Sequence, residues 1–398
     1  MNIELWAALL CIFFALGALL KLPWLDYLAT GISVILILSY FWQKKSLENV
    51  TYTRKWKYKR GFPGEEIDLK VEISNNKWLP LSWIRVSDLW PNAIAPVEKS
   101  HFAPSHIANQ GFLKNIYSLK WFQKTTRPFT IQLGERGIYP VGPALLESGD
   151  FFGIFSQERE IPAQEYITVF PEIIPLRKIS IQTEDPFGHL SALKKLFEDP
   201  TMTIGVRPYH PEDDFRRVHW PATARTGELQ VKIYQPVSSQ TVTLFLNVST
   251  THHFWQGAYS EVLEQLVKLG ATLVTQGIEN GFAMGLFSNG GLAHSDQPFR
   301  ILPGRSRNQL ALLLEALAGV TPFTTKSFPS FLLESIPRLP IGTAIMLITS
   351  VFPEELVEAL VRTKKYRSNM TVLSIAKEAP PSIPGIRTIH IPFESSIQ

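Results

Sequence analysis

Thr241-Val242-Thr243-Leu244-Phe245-Leu246-Asn247 is an apolar, β-branched run. At Tyr259–Gln276 it gives way to Val262, Leu263, Leu266, Val267 and Leu269 at helical spacing. Downstream, Phe282–Phe287 reads as a second strand, Arg307–Leu317 as a helix and Thr343–Thr349 as a third strand. Pro353–Lys365 reads as a helix with proline at its start, Met370–Ile375 as a fourth strand and Thr388–Ile391 as a short fifth. Strands alternating with helices imply a parallel sheet covered on both faces. Residues 238–398 are therefore expected to form an α/β, Rossmann-like domain. Ligands of such sheets bind at the C-terminal strand ends, which points to Asn247-Val248-Ser249-Thr250-Thr251 and Thr349-Ser350.

Upstream the period changes to two. Ile67, Leu69, Val71 and Ile73 alternate with Asp68, Lys70 and Glu72, the pattern of a strand with one wet face. Trp83–Val86, Tyr117–Phe122, Phe129–Leu133 and Tyr166–Phe170 are further strand-like runs, punctuated by Pro63-Gly64, Asn75-Asn76, Trp90-Pro91 and Gly134. Short strands separated by turn signals predict an all-β, Ig-like sandwich over residues 61–176. Trp78, Trp83, Trp90 and Trp121 are expected mainly in its core.

The N-terminus is different again. Of residues 1–43, 32 are apolar and only Glu4, Lys21 and Asp26 are charged. Two apolar runs, Leu5–Leu20 and Leu25–Trp42, are separated by Lys-Leu-Pro-Trp, with Trp6, Trp24, Tyr27, Tyr40 and Trp42 at their ends. This reads as a two-helix transmembrane hairpin with interfacial aromatics. A secretory leader is disfavoured by Glu4 in place of a basic start and by the lack of a small-x-small cleavage site. Residues 44–60 form a basic juxtamembrane segment with seven cations (Lys44, Lys45, Arg54, Lys55, Lys57, Lys59, Arg60) against Glu48. The positive-inside bias then places the soluble domains in the cytoplasm, with residues 1–60 in contact with lipid.

That same segment accounts for the overall charge of +4: it carries +6, and the rest of the chain sums to −2. A nucleic-acid partner is therefore not expected. The single cysteine, Cys11, lies in the apolar region, which excludes an intrachain disulfide or a CxxC zinc site. There is no GxxxxGK[ST] loop for nucleotide phosphates and no GxSxG nucleophile elbow. No catalytic residues are assigned.

Residues 177–237 form a linker and a polar segment. Arg207, Tyr209, Asp213, Asp214, Arg216, His219, Trp220, Arg225 and Lys232 crowd into it. They suit either a partner surface built on arginine forks or an internal ion-pair network. A metal site from His210, Asp213, Asp214 and His219 matches no zinc spacing, and Arg216 and Arg217 would repel the ion. The His252-His253 pair reads as a solvated loop.

Two passages carry a resemblance. The first is Arg136-Gly137-Ile138-Tyr139-Pro140-Val141-Gly142-Pro143, with Asp150-Phe151-Phe152-Gly153-Ile154-Phe155 and Val169-Phe170-Pro171-Glu172. The second is Arg207-Pro208-Tyr209, Glu212-Asp213-Asp214-Phe215-Arg216-Arg217-Val218-His219-Trp220, Ala224-Arg225 and Leu229-Gln230-Val231-Lys232. Together they resemble the domain of unknown function 58 family. Where that family usually has glycine before the paired aspartates, Glu212 stands here. The resemblance implies a von Willebrand factor A-like α/β domain and partnership with a MoxR-type AAA+ ATPase. A-type domains hold a divalent ion through Asp-x-Ser-x-Ser; the matching residues here are Asn247, Ser249 and Thr251. Magnesium usually takes at least one carboxylate, so this neutral set would hold it weakly and no cofactor is expected. The expected function is a membrane-anchored, non-enzymatic scaffold or adaptor in protein complex assembly or cell-envelope function. The alternative is a metal-dependent binding or hydrolytic enzyme of the cell envelope.

Overall fold

A computed structural model describes residues 3–162, 164–175, 198–210, 213, 215–236, 241–251, 259–293, 295–340, 342–365, 370–376 and 379–392. The chain divides into two compact units, Met1–Phe170 and Pro171–Gln398.

The first unit begins with two helices, α1 (Ile3–Leu20) and α2 (Pro23–Ser46). The break falls at Lys21-Leu22, where Lys21 takes positive φ and Pro23 opens α2 at a position that needs no N–H donor. α2 is long and apolar enough to cross a membrane by length and composition. Its 24 residues rise about 36 Å, and Ile37, Leu38 and Phe41 are turned outward.

Polar groups from the rest of the unit meet the C-terminal end of α2. Lys77 Nζ donates to the Ser46 and Glu48 carbonyls at 2.7 and 2.8 Å. Arg159 donates to the Leu47 carbonyl at 2.7 Å and to that of Val50. The Gln157 carboxamide lies 2.9 Å from the Gln43 carbonyl oxygen and 3.3 Å from that of Lys44. In return, Gln43 Nε2 donates to the Ser156 carbonyl at 2.7 Å. A helix leaves its last four carbonyls without intrahelical partners, and cations suit the negative end of its dipole.

Eleven strands follow: β1 (Val50–Trp56), β2 (Arg60–Gly61), β3 (Glu66–Asn75), β4 (Leu81–Pro91), β5 (Phe102–Pro104), β6 (Gln110–Leu119), β7 (Lys124–Gln132), β8 (Gly137–Val141), β9 (Ala144–Gly149), β10 (Ser156–Ile161) and β11 (Glu165–Val169). One antiparallel sheet has the order β1-β3-β7 and a larger one β10-β9-β4-β6-β5; a small sheet β2-β11-β8 adds to them. The period-two residues face inward as expected. Val50, Ile67, Leu69, Val71 and Ile73 of one sheet share a core with Ile84, Val86, Leu113 and Leu119 of the other. Trp90 is wholly buried there. Trp78 and Trp121 depart from the core expectation and are exposed.

The basic stretch at 44–60 is more than a juxtamembrane segment. Val50–Trp56 is the first strand of the sandwich, and its alternation turns Tyr52 and Arg54 inward. Arg54 Nε and Nη2 fork onto the buried Asp88 carboxylate at 2.7 and 2.6 Å, and the Tyr52 hydroxyl donates to the same carboxylate at 2.8 Å. Breaking such a buried pair leaves an uncompensated charge, at a cost of about 3–5 kcal/mol. Lys55, Lys57 and Lys59 pair with Glu72, Asp68 and Glu165. The count of positive charges held no sign of these acidic partners, which lie on other strands.

The second unit contains the hairpin β12 (Glu198–Pro208) and β13 (Gln230–Pro236), with the short helix α3 (Trp220–Thr226) between them. Six strands then form a sheet: β14 (Thr241–Leu246), β15 (Ala283–Ser288), β17 (Phe299–Gly304), β19 (Ala344–Thr349), β20 (Met370–Ala376) and β21 (Arg387–Pro392). Its order is β17-β15-β14-β19-β20-β21, parallel except for β17. A two-stranded ribbon joins β16 (Gly290–Leu292) to β18 (Val320–Thr324). The helices are α4 (Ser260–Glu279), α5 (Gln309–Gly319), α6 (Phe328–Ser335) and α7 (Glu354–Lys364). Strand burial is nearly continuous, as a doubly covered sheet demands. The antiparallel β17 and the short α6 carry neither a long alternation nor a full helical period, and were not legible.

Burial pushes Lys77 down from 10.5 to about 8. Between those values the unfolded chain binds more protons than the folded one, so stability should rise with pH across that window. A neutral amine keeps two N–H donors, enough for both carbonyls. Thermal unfolding of the detergent-solubilised chain from pH 8 to 10.5 should show the rise, and Lys77→Arg, which does not titrate there, should flatten it.

Candidate functional site

The segment between β12 and β13 is a compact excursion from a hairpin. Val206, Arg207 and Pro208 pair with Lys232, Val231 and Gln230, and the Tyr209 N–H closes the loop on the Leu229 carbonyl at 2.9 Å. Inside it lie a 3-10 turn, Phe215–Arg217, and α3. His219 precedes α3, and its Nδ1 accepts from the Ala222 N–H at 3.1 Å as an N-terminal cap. Gly227, at positive φ, ends the helix by donating to the Thr223 carbonyl. The Thr223 hydroxyl accepts from Gln230 N–H at 3.0 Å, which ties the helix back to β13.

Arg207 and Asp213 clamp the loop. The guanidinium forks onto the carboxylate at 2.6 and 2.5 Å, and the His210 N–H adds a bond at 2.9 Å. The fork, helped by that N–H, holds the Asp213 carboxyl down to about 2. Both carboxylate oxygens are thereby engaged, and His219 Nδ1 is occupied by the helix cap. The arrangement suits a structural clasp rather than a metal centre. Among the described residues, no group of three His, Cys, Asp or Glu is placed to hold a metal ion.

On this clasp sits an aromatic ladder. Tyr209 meets Phe215 edge-on at 6.1 Å, and Phe215 meets Trp220 at 6.0 Å. Phe215 is 57% exposed and Trp220 60%, beside exposed Val206 and Leu229. Arg225 is exposed and Lys232 half-buried. Asp214, Glu212 and the side chain of Arg216 lie outside the described residues, as do His252 and His253. The structure thus brings together Arg207, Tyr209, Asp213, His219 and Trp220. Phe215 stands in the signature passage between the other two aromatics, and the structure stacks it edge-on against both.

The C-terminal strand ends hold the second candidate. Asn247 follows β14 and is buried. Its Oδ1 accepts from the Ser249 N–H at 3.0 Å, which turns Nδ2 to donate to Thr349 Oγ1 at 3.0 Å, at the end of β19. Thr349 Oγ1 donates in turn to the Val351 carbonyl at 2.9 Å. Asn289, after β15, accepts from the Val248 N–H at 3.0 Å and donates to Ser249 Oγ at 3.4 Å. Asn289 went unnoticed in the sequence, although its position directly after a strand marks the same edge. Asn247 and Ser249 are thus drawn into a network of amides and hydroxyls, and Thr251 is half-buried. This donor set does not fit a divalent ion: the Asn247 oxygen is already used and its amide donates where an aspartate would only accept.

Residues 205–392 match the family described as Protein of unknown function DUF58. That match takes in the second of the two passages on which the resemblance rests, Arg207 to Lys232. A curated relative, "Uncharacterized protein YeaD" of Bacillus subtilis (strain 168), is 20% identical over 233 residues, 57% of this chain and 52% of the relative. The chain thus spans about half the length of that relative. Among solved structures, the CARDB domain of the PF1109 protein of Pyrococcus furiosus is 13% identical, covering 30% of this chain and 91% of that one, with a TM-score of 0.21. Spo0M, a sporulation control protein of Bacillus subtilis, is 14% identical over 41% and 59%, with a TM-score of 0.20.

Asn247→Asp should lower the stability of the second unit by about 1–3 kcal/mol, because the donor to Thr349 is lost and a charge is buried. Denaturant unfolding of the full chain in detergent measures this. Millimolar Mg²⁺ should leave the wild-type transition unmoved.

Proposed function

We propose that the chain is a two-pass membrane anchor carrying an adaptor. In this reading α1 and α2 form the transmembrane hairpin, the β unit is an Ig-like sandwich, and the sheet from β14 to β21 is a von Willebrand factor A-like domain. Both soluble parts face the cytoplasm. Lys44 and Lys45, exposed at the C-terminal end of α2, support that orientation, against a Lys21–Asp26 connection whose charges cancel. The adaptor acts without turnover: it sets location and specificity for a MoxR-type AAA+ ATPase, which supplies the energy in complex assembly or envelope function.

The observation that carries the proposal is the Phe215–Trp220 face. Two large aromatics are held outward on a loop clamped by Arg207 and Asp213, so little freedom is lost when a partner covers them. Aromatic anchors with adjacent arginines are the composition of interface hot spots. Neutral hydrogen bonding across the C-terminal strand ends also suits binding better than metal-dependent hydrolysis.

Phe215→Ser with Trp220→Ser should reduce recovery of a MoxR-type ATPase by full-length chain in detergent at least about tenfold, as expected for two hot-spot residues. Unchanged recovery would remove this face from the proposal, and no recovery by wild type would remove the partner. A reporter fused after Gln398 should be active only in the cytoplasm; activity on the far side would reverse the orientation.

A further inference from the structure

We infer that the end of the β-sandwich nearest α2 docks on the surface of the lipid bilayer through three aromatic turns, so that the first unit meets the membrane with its sandwich as well as with its helices. The inference rests on the reading of α2 as a spanning helix.

The strand registers place these loops. Val50, the first residue after the α2 connection in β1, pairs with Asn75, the last of β3. Leu81 at the start of β4 pairs with Leu119 at the end of β6, and Gly149 at the end of β9 pairs with Ser156 at the start of β10. Ile84 of β4 lies opposite Ser148 of β9. The turns at 76–80, 120–123 and 150–155 therefore lie at one end of the sandwich, the end where α2 arrives.

The 150–155 turn is built to hold side chains out. Asp150 is buried, and its carboxylate accepts from the Phe152 N–H at 2.9 Å and the Phe155 N–H at 2.7 Å. Gly153 takes positive φ, which tightens the turn. Phe155 turns inward against the Tyr40 ring of α2, centroids 6.4 Å apart. Phe151 and Phe152 go the other way, 71% and 62% exposed, edge to face at 5.6 Å. Through Phe155 the turn is held against Tyr40, six residues or about 9 Å before the helix end at Ser46.

The other two turns form a matching pair. Asn75 Nδ2 bonds the Leu79 and Lys120 carbonyls at 2.9 and 3.0 Å, and the Phe122 N–H reaches the Lys77 carbonyl at 3.3 Å. On that frame Trp78, 77% exposed, packs edge-on against exposed Phe122 at 5.2 Å, with Trp121 exposed alongside. Lys44, Lys45 and Lys120 are exposed at this end, against the exposed acid Glu48. Aromatic rings with flanking lysines are the chemistry of the headgroup layer, where rings sit between tails and water and ammonium groups meet lipid phosphates. A protein partner would equally accept the rings, but the helix that delivers this surface to the bilayer favours lipid.

The test uses the full chain with Cys11→Ser and one new cysteine at a time, labelled with an environment-sensitive fluorophore. The chain is reconstituted in vesicles of phosphatidylethanolamine and phosphatidylglycerol. Labels at Phe152→Cys and Trp78→Cys should shift to the blue and be quenched by lipid spin-labelled near the headgroup. A label at Glu66→Cys, at the opposite end of the sandwich, should do neither. Ile37→Cys, outward on α2 and about 14 Å before its end, reports the spanning helix itself and is read with lipid spin-labelled deep in its acyl chain. Quenching at Ile37→Cys without quenching at Phe152→Cys and Trp78→Cys would overturn the docking and leave the anchor standing. No quenching at Ile37→Cys would overturn both. Equal quenching at Glu66→Cys would show non-specific adsorption and would also overturn the docking.

Discussion

The end of α2 is the constraint on which the first unit depends. A helix that runs into a folded domain must bury its last carbonyls, and each one left without a donor costs about 1–3 kcal/mol. Here Gln157, Arg159 and Lys77 meet that requirement from β10 and from the turn after β3. The donors are fixed by the sandwich, so the helix is welded to it with no flexible linker. Only the residues from Leu47 to Asn49 separate α2 from β1, and Leu47 is itself buried in the core.

A second buried charge sits close by in sequence. Arg54 is held by Asp88, and both are sealed among the apolar residues that join the two sheets. An ion pair so placed adds little net stability, since desolvation offsets most of the attraction. What it does set is register: if β1 slipped by one residue, Arg54 would face water and Asp88 would remain alone in the core. The two features act on adjacent stretches, one fixing where the helix stops and the other how the strand after it pairs.

Periodicity made much of this legible. The alternation at Ile67–Ile73 and the helical spacing at Val262–Leu269 gave elements that the structure reproduces to within a few residues. What escaped was whatever depends on partners distant in the chain. Seven cations at 44–60 read as one juxtamembrane segment because Asp88, Glu72 and Glu165 are remote in sequence and near only after the strands pair. Arg159 as a helix cap lies 112 residues from the carbonyl it bonds. In the signature segment the ionic residues were visible, but the Arg207–Asp213 clamp and the outward turn of Phe215 follow from hairpin geometry. For Asn247, the residue type signalled a departure from a metal ligand; that its amide nitrogen has a dedicated acceptor required the position of Thr349.

The neutrality of that edge has a further consequence. Asn247, Ser249, Asn289 and Thr349 gain and lose no proton over the range a cell experiences, and none offers a carboxylate to calcium or magnesium. The hydrogen bonds among these four side chains therefore involve no group that acid or a change of metal content would alter. Here the four side chains are buried and bonded to one another, so what they set is the course of the backbone at these strand ends.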